Sequence, residues 1–402
     1  MDILSELLNK DKWNEFLEYK LTKSHLNKTE ETFLKQYVAQ EKYLSIAQKI
    51  DAGSYVFSTP IKTLINKSGS TKKRAVYSFS EDENIVLKFI SFCLYKYDYV
   101  FCPSTYAFRR NITVKQAFNN IIKSGVDNKF SYKIDISNYF NSININLLLP
   151  KLKTVLNKDA RLYDLLKTIL TLNKSVYNGE VITEERGVMA GTPTSTFLAN
   201  IYLLDLDNYF YNANVTYARY SDDIIVFGQS ETEINKHKDY ILECLTKMNL
   251  VVNPAKVCLT KPHEKWTYLG FSYHDGVVDL SEVTLKKIKD KIRRKARAIY
   301  RWKVKNQKET LHAAKVLIRV FNNKFYRLNN TKDLTWSKWF FPIINTSNSL
   351  KLIDKHLVQY VRFLSSGKFT KQNYNLTYKK IKTLGYKSLV HEYYKFRKNE
   401  QV

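Results

Sequence analysis

The stretch TYARYSDDIIVFG, from Thr216 to Gly228, places two adjacent acids between two runs of β-branched and aromatic residues. Such runs are typical of strands, and the Ser-Asp-Asp between them predicts a hairpin with a tight turn. Acids are depleted from strand interiors, so the pair Asp222 and Asp223 needs a physical reason. Two reasons are open at this point: the acids serve only the turn, or they bind metal.

The composition indicates which partners suit the chain. The 402 residues include 65 Lys and Arg against 38 Asp and Glu, a formal net charge of +27. This excess favours a polyanionic partner, with nucleic acid first and a membrane surface second. No apolar run approaches the ~20 residues of a transmembrane helix, and the N-terminal sequence lacks a signal-peptide layout. We therefore expect no membrane association and a cytoplasmic location.

A third acid, Asp135, ends a predicted strand in KIDISNYFNSI, Lys133 to Ile143, among apolar and aromatic neighbours. If this strand lies beside the acidic hairpin, three carboxylates converge and repel one another unless cations bind there. Hard divalent ions with oxygen ligands suit such a set. A pair of these ions is the standard arrangement for phosphoryl transfer in polymerases. The acids thus point to two Mg²⁺ ions, with Mn²⁺ as an alternative.

The order of the predicted elements around these acids is that of an α+β protein. A hairpin is predicted with Asn178-Gly179 at its turn, and one long helix from Thr192 to Phe210. Strands are predicted around Leu250–Leu259 and Trp266–His274, and almost continuous helix from Ser281 onward.

Seven segments, in the correct order, resemble the motifs of reverse transcriptases of the bacterial branch. This branch includes group II intron, retron and abortive-infection or defence-associated enzymes. The segments that resemble palm motifs are KIDISNYFNSI, GVMAGTPTSTFLANIYL, YSDDIIVF, LVVNPAKVCL and WTYLGFSY, and those that resemble fingers segments are TKKRAVYSF and STYAFRRNITVKQAF. The resemblance runs from about Pro60 to Tyr273. It implies a right-hand polymerase with fingers, palm and a helical thumb, and it favours metal binding over a simple turn.

By this resemblance the catalytic carboxylates are Asp135, Asp222 and Asp223, which hold the metal ions together with Ile136. Lys256, in the segment NPAK, corresponds to a lysine proposed to protonate the leaving pyrophosphate. The alternative for Lys256 is an exposed lysine after a turn.

The resemblance also implies a nucleotide site. Arg74, with Lys72 nearby, would clamp the incoming triphosphate, because arginine matches phosphate geometry with two parallel hydrogen bonds. Arg109 either joins them or only braces the fold. Phe140 stands where the family places its steric gate against a ribose 2′-OH, and a helix core residue is the alternative.

The loop before the predicted long helix departs from the family. Met189-Ala190-Gly191 stand where Pro-Gln-Gly is usual, and Ala190 cannot supply the contact that the glutamine makes with the incoming nucleotide. Ser221 stands where Ala is commoner. These changes leave the metal chemistry intact but motivate an alternative activity, the untemplated or repetitive-sequence synthesis of DNA.

The later segments would hold nucleic acid. By the resemblance, the stretch from Trp266 to Phe271, which includes Leu269 and Gly270, would hold the primer end. The segment Lys286–Lys308 contains a single acid, which predicts a helix that follows the phosphates of a duplex. The residues predicted to contact these phosphates are Arg293, Arg294, Lys295 and Arg297.

The predicted domains are an N-terminal helical extension (1–55), fingers with part of the palm (56–134), the palm (135–275) and a basic helical thumb with C-terminal helices (276–402). The predicted function is an RNA-directed DNA polymerase that adds dNTPs to a primer 3′ end. Its expected partners are an RNA template, such as a dedicated noncoding RNA, and the DNA product, in a retron-like or phage-defence system. A partner protein and a homo-oligomer are both left open. The alternative from another class is an RNA-binding maturase-like protein with a vestigial polymerase fold, and the three retained acids argue against it.

Overall fold

The computed structural model of the protein describes residues 2–24, 26–66, 73–326 and 335–400. These residues form two compact units, the first ending at Pro262 and the second beginning at His263.

Helices make up much of the first unit. Several begin at a residue whose side chain caps the first turn, as Ser80 does for α4 through a capping box with Glu83. The helices are α1 (Lys10–Lys23), α2 (Lys28–Ala39), α3 (Leu44–Asp51), α4 (Glu81–Cys93), α5 (Val114–Lys123), α6 (Tyr139–Ser142), α7 (Ile145–Val155), α8 (Ala160–Thr171), α9 (Ser195–Tyr202), α10 (Leu204–Asn212) and α11 (Glu231–Lys247).

The N-terminal helices belong to the core of this unit. The Trp13 ring stacks between Tyr43 and Phe89, with ring centroids 4.1 Å away on each side. Its indole N–H donates to the carbonyl of Leu7 at 2.9 Å, so the buried polar atom is satisfied. This packing fixes α1 against α4.

Two four-stranded sheets lie in the first unit. One has the strand order β2-β1-β4-β5 and is antiparallel apart from one parallel contact between β1 and β4. The other has the order β6-β7-β3-β8 and is fully antiparallel. The strands are β1 (Ile61–Asn66), β2 (Lys73–Ser78), β3 (Phe130–Asp135), β4 (Lys174–Tyr177), β5 (Glu180–Thr183), β6 (Tyr217–Tyr220), β7 (Asp223–Gly228) and β8 (Cys258–Thr260).

The central strand β7 is apolar over nearly its whole length, and the side chains of residues 224–227 are all buried. A strand buried on both faces needs cover on both, and α11 packs against β7 and β3. The two acids of this sheet lie at strand ends, since Asp135 is the last residue of β3 and Asp223 is the first residue of β7.

The second unit consists of a small antiparallel sheet followed by helices. The buried residues of its longest helix, α12, recur at three- and four-residue steps (Ile288, Ile292, Ala296 and Ile299), and α12 packs against α13 and α15. The elements are β9 (Trp266–Tyr268), β10 (Phe271–His274), β11 (Val277–Leu280), α12 (Glu282–Lys305), α13 (Thr310–Tyr326), α14 (Trp336–Phe340), α15 (Asn348–Phe363), α16 (Tyr378–Thr383) and α17 (Leu389–Glu400).

The α+β class expected from the sequence is confirmed, and so is the hairpin at Asn178-Gly179, where both φ angles are positive. Two details differ from the expectation. The long helix from Thr192 is broken at Leu203 into α9 and α10. The expected strand around Leu250–Leu259 is reduced to the start of β8 at Cys258, and a short 3₁₀ turn at Pro254–Lys256 precedes it. Within the described residues, none of the helices has the length and apolarity needed to cross a membrane.

Candidate active site

The strands that carry the three acids are neighbours in one sheet. β3 pairs with β7 in a register that sets Asp135 opposite Asp223, and Asp222 lies in the turn that precedes β7. The backbone N–H of Ile136 donates to the carbonyl of Asp222 at 3.0 Å, which extends the pairing past the end of β3. The fold therefore brings together residues almost ninety positions apart in the chain.

Buried polar residues stabilise the turn that contains Ser221 and Asp222. Ser221 has a φ of 63°, a left-handed conformation that is uncommon outside glycine. Its carbonyl accepts a hydrogen bond from Nη1 of the buried Arg219 at 3.2 Å. Arg219 in turn forms a fully buried ion pair with Asp207, whose carboxylate also accepts from the hydroxyl of Thr105 at 2.8 Å. Residues with a rare backbone conformation, such as Ser221, are often found at functional sites, where the surrounding structure stabilises that conformation.

The carboxylates of the turn lie in surroundings that disfavour their charge. Burial, and then the charge of Asp135, raise the pKa of Asp222 above its usual range. Burial likewise raises the pKa of Asp223, opposed in part by Lys133, whose Nζ lies 3.7 Å from Oδ1 of Asp223. Like charges gathered in a partly buried site call for a positive partner.

Lys256 provides one such partner in this structure. Its Nζ donates to Oδ1 of Asp135 at 2.5 Å, across 121 positions of sequence. The Lys256 side chain is about half exposed, whereas that of Asp135 is 8% exposed. The short 3₁₀ turn at Pro254–Lys256 thus directs the lysine at the acid that ends β3, and the lysine side chain remains open to solvent.

The residues fit a divalent-metal site in their chemistry. Asp135, Asp222 and Asp223 offer carboxylate oxygens, the ligands that hard divalent ions prefer, and the backbone of Ile136 lies between them. As the side chains stand, no three His, Cys, Asp or Glu residues of the described chain converge closely enough to hold an ion. In this structure the carboxylate of Asp135 contacts Lys256 instead, and that of Asp223 lies near Lys133.

A single amide joins three segments beside this site. Nδ2 of Asn141 donates to the carbonyl of Ala75 on β2 at 3.1 Å, and its Oδ1 accepts from the backbone N–H of Ala190 at 3.1 Å. The N–H of Tyr77 also donates to the carbonyl of Ala190 at 2.8 Å. Asn141 directly follows Phe140, whose carbonyl accepts from the N–H of Val188 at 2.9 Å.

These contacts link the segments that carry three of the predicted nucleotide residues, Arg74, Phe140 and Ala190. Arg74 lies on β2 beside Ala75, exposed to solvent, and Phe140 is half-buried with its ring 6.0 Å from that of Phe108. Lys72 lies outside the described residues. Asn141 falls inside the segment KIDISNYFNSI, but the sequence does not predict its role, because the partners of an amide are visible only in the folded structure.

Arg109 is held by contacts within its own loop. Its Nε donates to the carboxylate of Asp98 at 3.1 Å. Its Nη1 donates to the carbonyls of Cys102 and Thr105 at 2.8 and 3.1 Å, and its Nη2 to the carbonyl of Asp98 at 3.2 Å. With its nitrogens so occupied, the guanidinium braces this loop in the structure.

The predicted primer-gripping residues lie in the second unit. Leu269 and Gly270 form the two-residue turn between β9 and β10, with φ angles of 51° and 89°. Turns of this kind need positive φ at both positions, which is unusual for leucine. A side chain at Gly270 would meet Oγ1 of Thr284 at 2.9 Å and would be strained by the positive φ, so the position favours glycine. Trp266 is 4% exposed and its ring stacks on that of Tyr273, so the ring is part of the core of the second unit.

The predicted phosphate contacts lie on the exposed side of α12. Arg293, Arg294, Lys295 and Arg297 are all exposed, while the apolar stripe of the same helix is buried. Arg293 pairs with Asp290 at 2.9 Å.

Comparisons with known proteins agree with these observations. The family model described as reverse transcriptase (RNA-dependent DNA polymerase) matches residues 65–273, just over half of the chain. Two similar relatives from Escherichia coli are the retron Ec86 reverse transcriptase, 28% identical over 106 residues, and the retron Ec73 reverse transcriptase, 27% identical over 165 residues. The matches cover 25% and 38% of this chain and 33% and 47% of those proteins, so the chain spans less than half of each relative.

Among solved structures, an apo telomerase from Candida tropicalis, truncated from its C-terminal domain, matches with a TM-score of 0.45 and 15% identity. The match covers 56% of this chain and 55% of the telomerase chain. The matched family and the mixture of helices with largely antiparallel sheets confirm the right-hand polymerase fold. Because the family model spans more than half of its residues, the chain belongs to the reverse transcriptase (RNA-dependent DNA polymerase) family.

Proposed function

We propose that the protein is an RNA-directed DNA polymerase that adds dNTPs to a primer 3′ end by phosphoryl transfer. The observation that carries this proposal is the pairing of β3 with β7, which sets Asp135 opposite Asp223 with Asp222 in the adjoining turn. The membership of the chain in the reverse transcriptase family supports it.

Enzymes of this family generally use divalent metal ions. We assign the ligands to Asp135, Asp222, Asp223 and the backbone of Ile136, and the ions to two Mg²⁺. When bound, such ions activate the attacking oxygen and stabilise the charge that develops on the phosphate.

The other residues position the substrates. Arg74, with Lys72 two residues before it, binds the incoming triphosphate from β2. The Phe140 ring excludes a ribose 2′-OH, and Ala190 borders the nucleotide through its backbone. Nζ of Lys256 lies next to Asp135 and carries the proton that is donated to the leaving pyrophosphate.

The partners follow from the same activity. We propose an RNA template, a DNA product and a dedicated noncoding RNA in a retron-like or phage-defence system in the cytoplasm. The relatives named as retron reverse transcriptases support this choice. We assign the N-terminal extension to residues 1–55, the fingers to 56–134, the palm to 135–275 and the thumb to 276–402. In the sequence, the proposed primer-gripping turn follows the boundary between the two compact units.

The test is metal-dependent dNTP incorporation by the purified protein on a poly(rA)·oligo(dT) template–primer with Mg²⁺. The parent should extend the primer, and Asp222→Ala with Asp223→Ala should not, while both remain folded by circular dichroism. Asp239→Ala removes an exposed acid from α11 and serves as the matched control, which should retain activity. Incorporation by the double variant, or none by the parent, would reject the proposal.

A further inference from the structure

A pocket in the second unit has no role in the chemistry described above. It lies between α15 and the loop that follows it, and its volume is about 390 Å³. This volume falls in the range of about 300–1,000 Å³ that is usual for small-ligand sites. Its walls include Gln359 and Arg362 from α15, and Phe369, Lys371 and Tyr374 from the loop.

The loop that forms this pocket has a fixed conformation. The amide of Asn373, only 3% exposed, donates from Nδ2 to the carbonyl of Lys368 at 2.6 Å. Its Oδ1 accepts from the hydroxyls of Ser366 at 2.9 Å and Thr370 at 3.2 Å. A buried amide with these partners fixes the backbone between the two aromatic residues of the loop.

The loop presents two large rings to solvent. Phe369 is 62% exposed and Tyr374 is 60% exposed. Phe369 rests on Tyr360 and Phe363 at centroid distances of 5.3 and 5.4 Å, so its own position is fixed. The guanidinium of Arg362 lies 4.4 Å from the Tyr374 ring centroid. Exposed rings held in place by their neighbours suit a ligand that is itself flat.

The charge of the unit indicates which flat ligand this is. Between His263 and Val402 there are 31 Lys and Arg residues and 10 Asp and Glu residues, or +21 of the total net charge of +27. Lys371 and Arg362 contribute cations to the pocket itself, and no carboxylate is found among its described lining residues. Aromatic platforms with neighbouring cations are how proteins bind unpaired nucleotides, by stacking the base and pairing the phosphate.

We infer that this pocket binds an unpaired nucleotide of a single-stranded RNA, with its base against Tyr374 and Phe369 and its phosphates near Lys371 and Arg362. The inference rests on the proposed function in one respect. In such an enzyme the DNA product is paired with its template, so the strand with unpaired bases is the RNA. Gln359 lines the same pocket and offers an amide for the edge of a base.

The test measures binding separately from synthesis. The probe is a fluorescein-labelled oligo(U) of about 12 nucleotides, within the usual site size of single-strand-binding domains, and affinity is followed by anisotropy. Phe369→Ala with Tyr374→Ala should weaken binding roughly tenfold, because loss of one stacked base has about this effect. Tyr374→Phe keeps the ring and should bind like the parent. Tyr394→Ala removes a ring that is 53% exposed on α17 and is the matched control.

Three comparisons decide the outcome. An RNA duplex of the same length should lose little affinity in the double variant, and equal losses for duplex and single strand would overturn the assignment. Loss for the matching single-stranded DNA but not for oligo(U) would overturn the choice of RNA. If the double variant binds oligo(U) as the parent does and has the same unfolding temperature, the inference is rejected. The exposed rings would then be assigned to contact with a protein partner. dNTP incorporation on poly(rA)·oligo(dT) is recorded in parallel, so failure here is distinguishable from failure of the polymerase proposal.

Discussion

Asn141 and Ala190 are joined by a hydrogen bond of 3.1 Å between the side-chain oxygen of Asn141 and the backbone N–H of Ala190. The same amide donates to the carbonyl of Ala75. One side chain thereby ties β2, which carries Arg74, to the loop that departs from the usual Pro-Gln-Gly. The geometry of the proposed nucleotide site depends on this link.

Asn141→Ala should lower kcat/KM for dNTPs about tenfold, mainly through KM, because two hydrogen bonds of about 0.5–1.5 kcal/mol each are lost. Steady-state kinetics with varied dNTP concentration would measure this. Asn146→Ala, an exposed asparagine at the start of α7, is the control. An unchanged KM would mean that the link plays no part in nucleotide binding.

Phe140→Ala should admit ribonucleotides. A ring that overlaps the 2′-OH imposes a steric penalty of about 1–3 kcal/mol, so the preference for dNTPs over rNTPs should fall by roughly 5- to 150-fold. Single-nucleotide incorporation with each substrate gives the ratio. A ratio equal to that of the parent would make Phe140 a packing residue only.

Asp207→Ala should destabilise the first unit by about 3–5 kcal/mol, because it leaves Arg219 buried without its carboxylate partner. Urea unfolding monitored by circular dichroism would measure the change in the free energy of unfolding. Asp205→Ala, on the same helix but with its side chain 71% exposed, should change it by less than about 1 kcal/mol. Equal effects of the two variants would contradict the structural role given to this pair.

Glu83 should make stability depend on acid pH. Burial alone would raise its pKa, but hydrogen bonds from Ser58 and Ser80 outweigh this and lower the pKa. The stabilisation is therefore full above the ordinary glutamate pKa of about 4.3 and is lost as the pH falls through the lower pKa of the folded state. Glu83→Gln should unfold at a lower temperature than the parent at neutral pH, with the difference shrinking in acid. A difference that is constant with pH would exclude this carboxylate as the cause.

Replacing Arg293, Arg294, Lys295 and Arg297 with Gln should weaken duplex binding irrespective of sequence. Each lost phosphate contact should reduce the slope of log affinity against log salt by about 0.9. The matched control removes the same charge from exposed lysines of the first unit, Lys28, Lys35, Lys42 and Lys49. If both variants lower the slope equally, net charge rather than α12 governs binding.

Local pattern predicted much of this architecture. Alternating apolar residues and turn chemistry indicated the acidic hairpin, the Asn178-Gly179 hairpin and the basic α12. The break between α9 and α10 was missed because neither glycine nor proline marks Leu203. The contacts of Asn141 and the burial of Arg219 with Asp207 escaped prediction for another reason. The partners of Asn141 are distant in sequence, and Arg219 and Asp207 are charged residues of the kind usually found on the surface. Only the packed fold determines which polar groups meet.

The stacking of Trp13 between Tyr43 and Phe89 has an optical consequence. Trp13 is the single tryptophan before residue 263, since the other four are Trp266, Trp302, Trp336 and Trp339. Replacing those four with phenylalanine would leave Trp13 as the only tryptophan, and its ring is fully shielded from water. Fluorescence excited at the long-wavelength edge of the protein absorption spectrum would then come from Trp13 alone. A shift of this emission to longer wavelength would report the loosening of the first unit with no added dye.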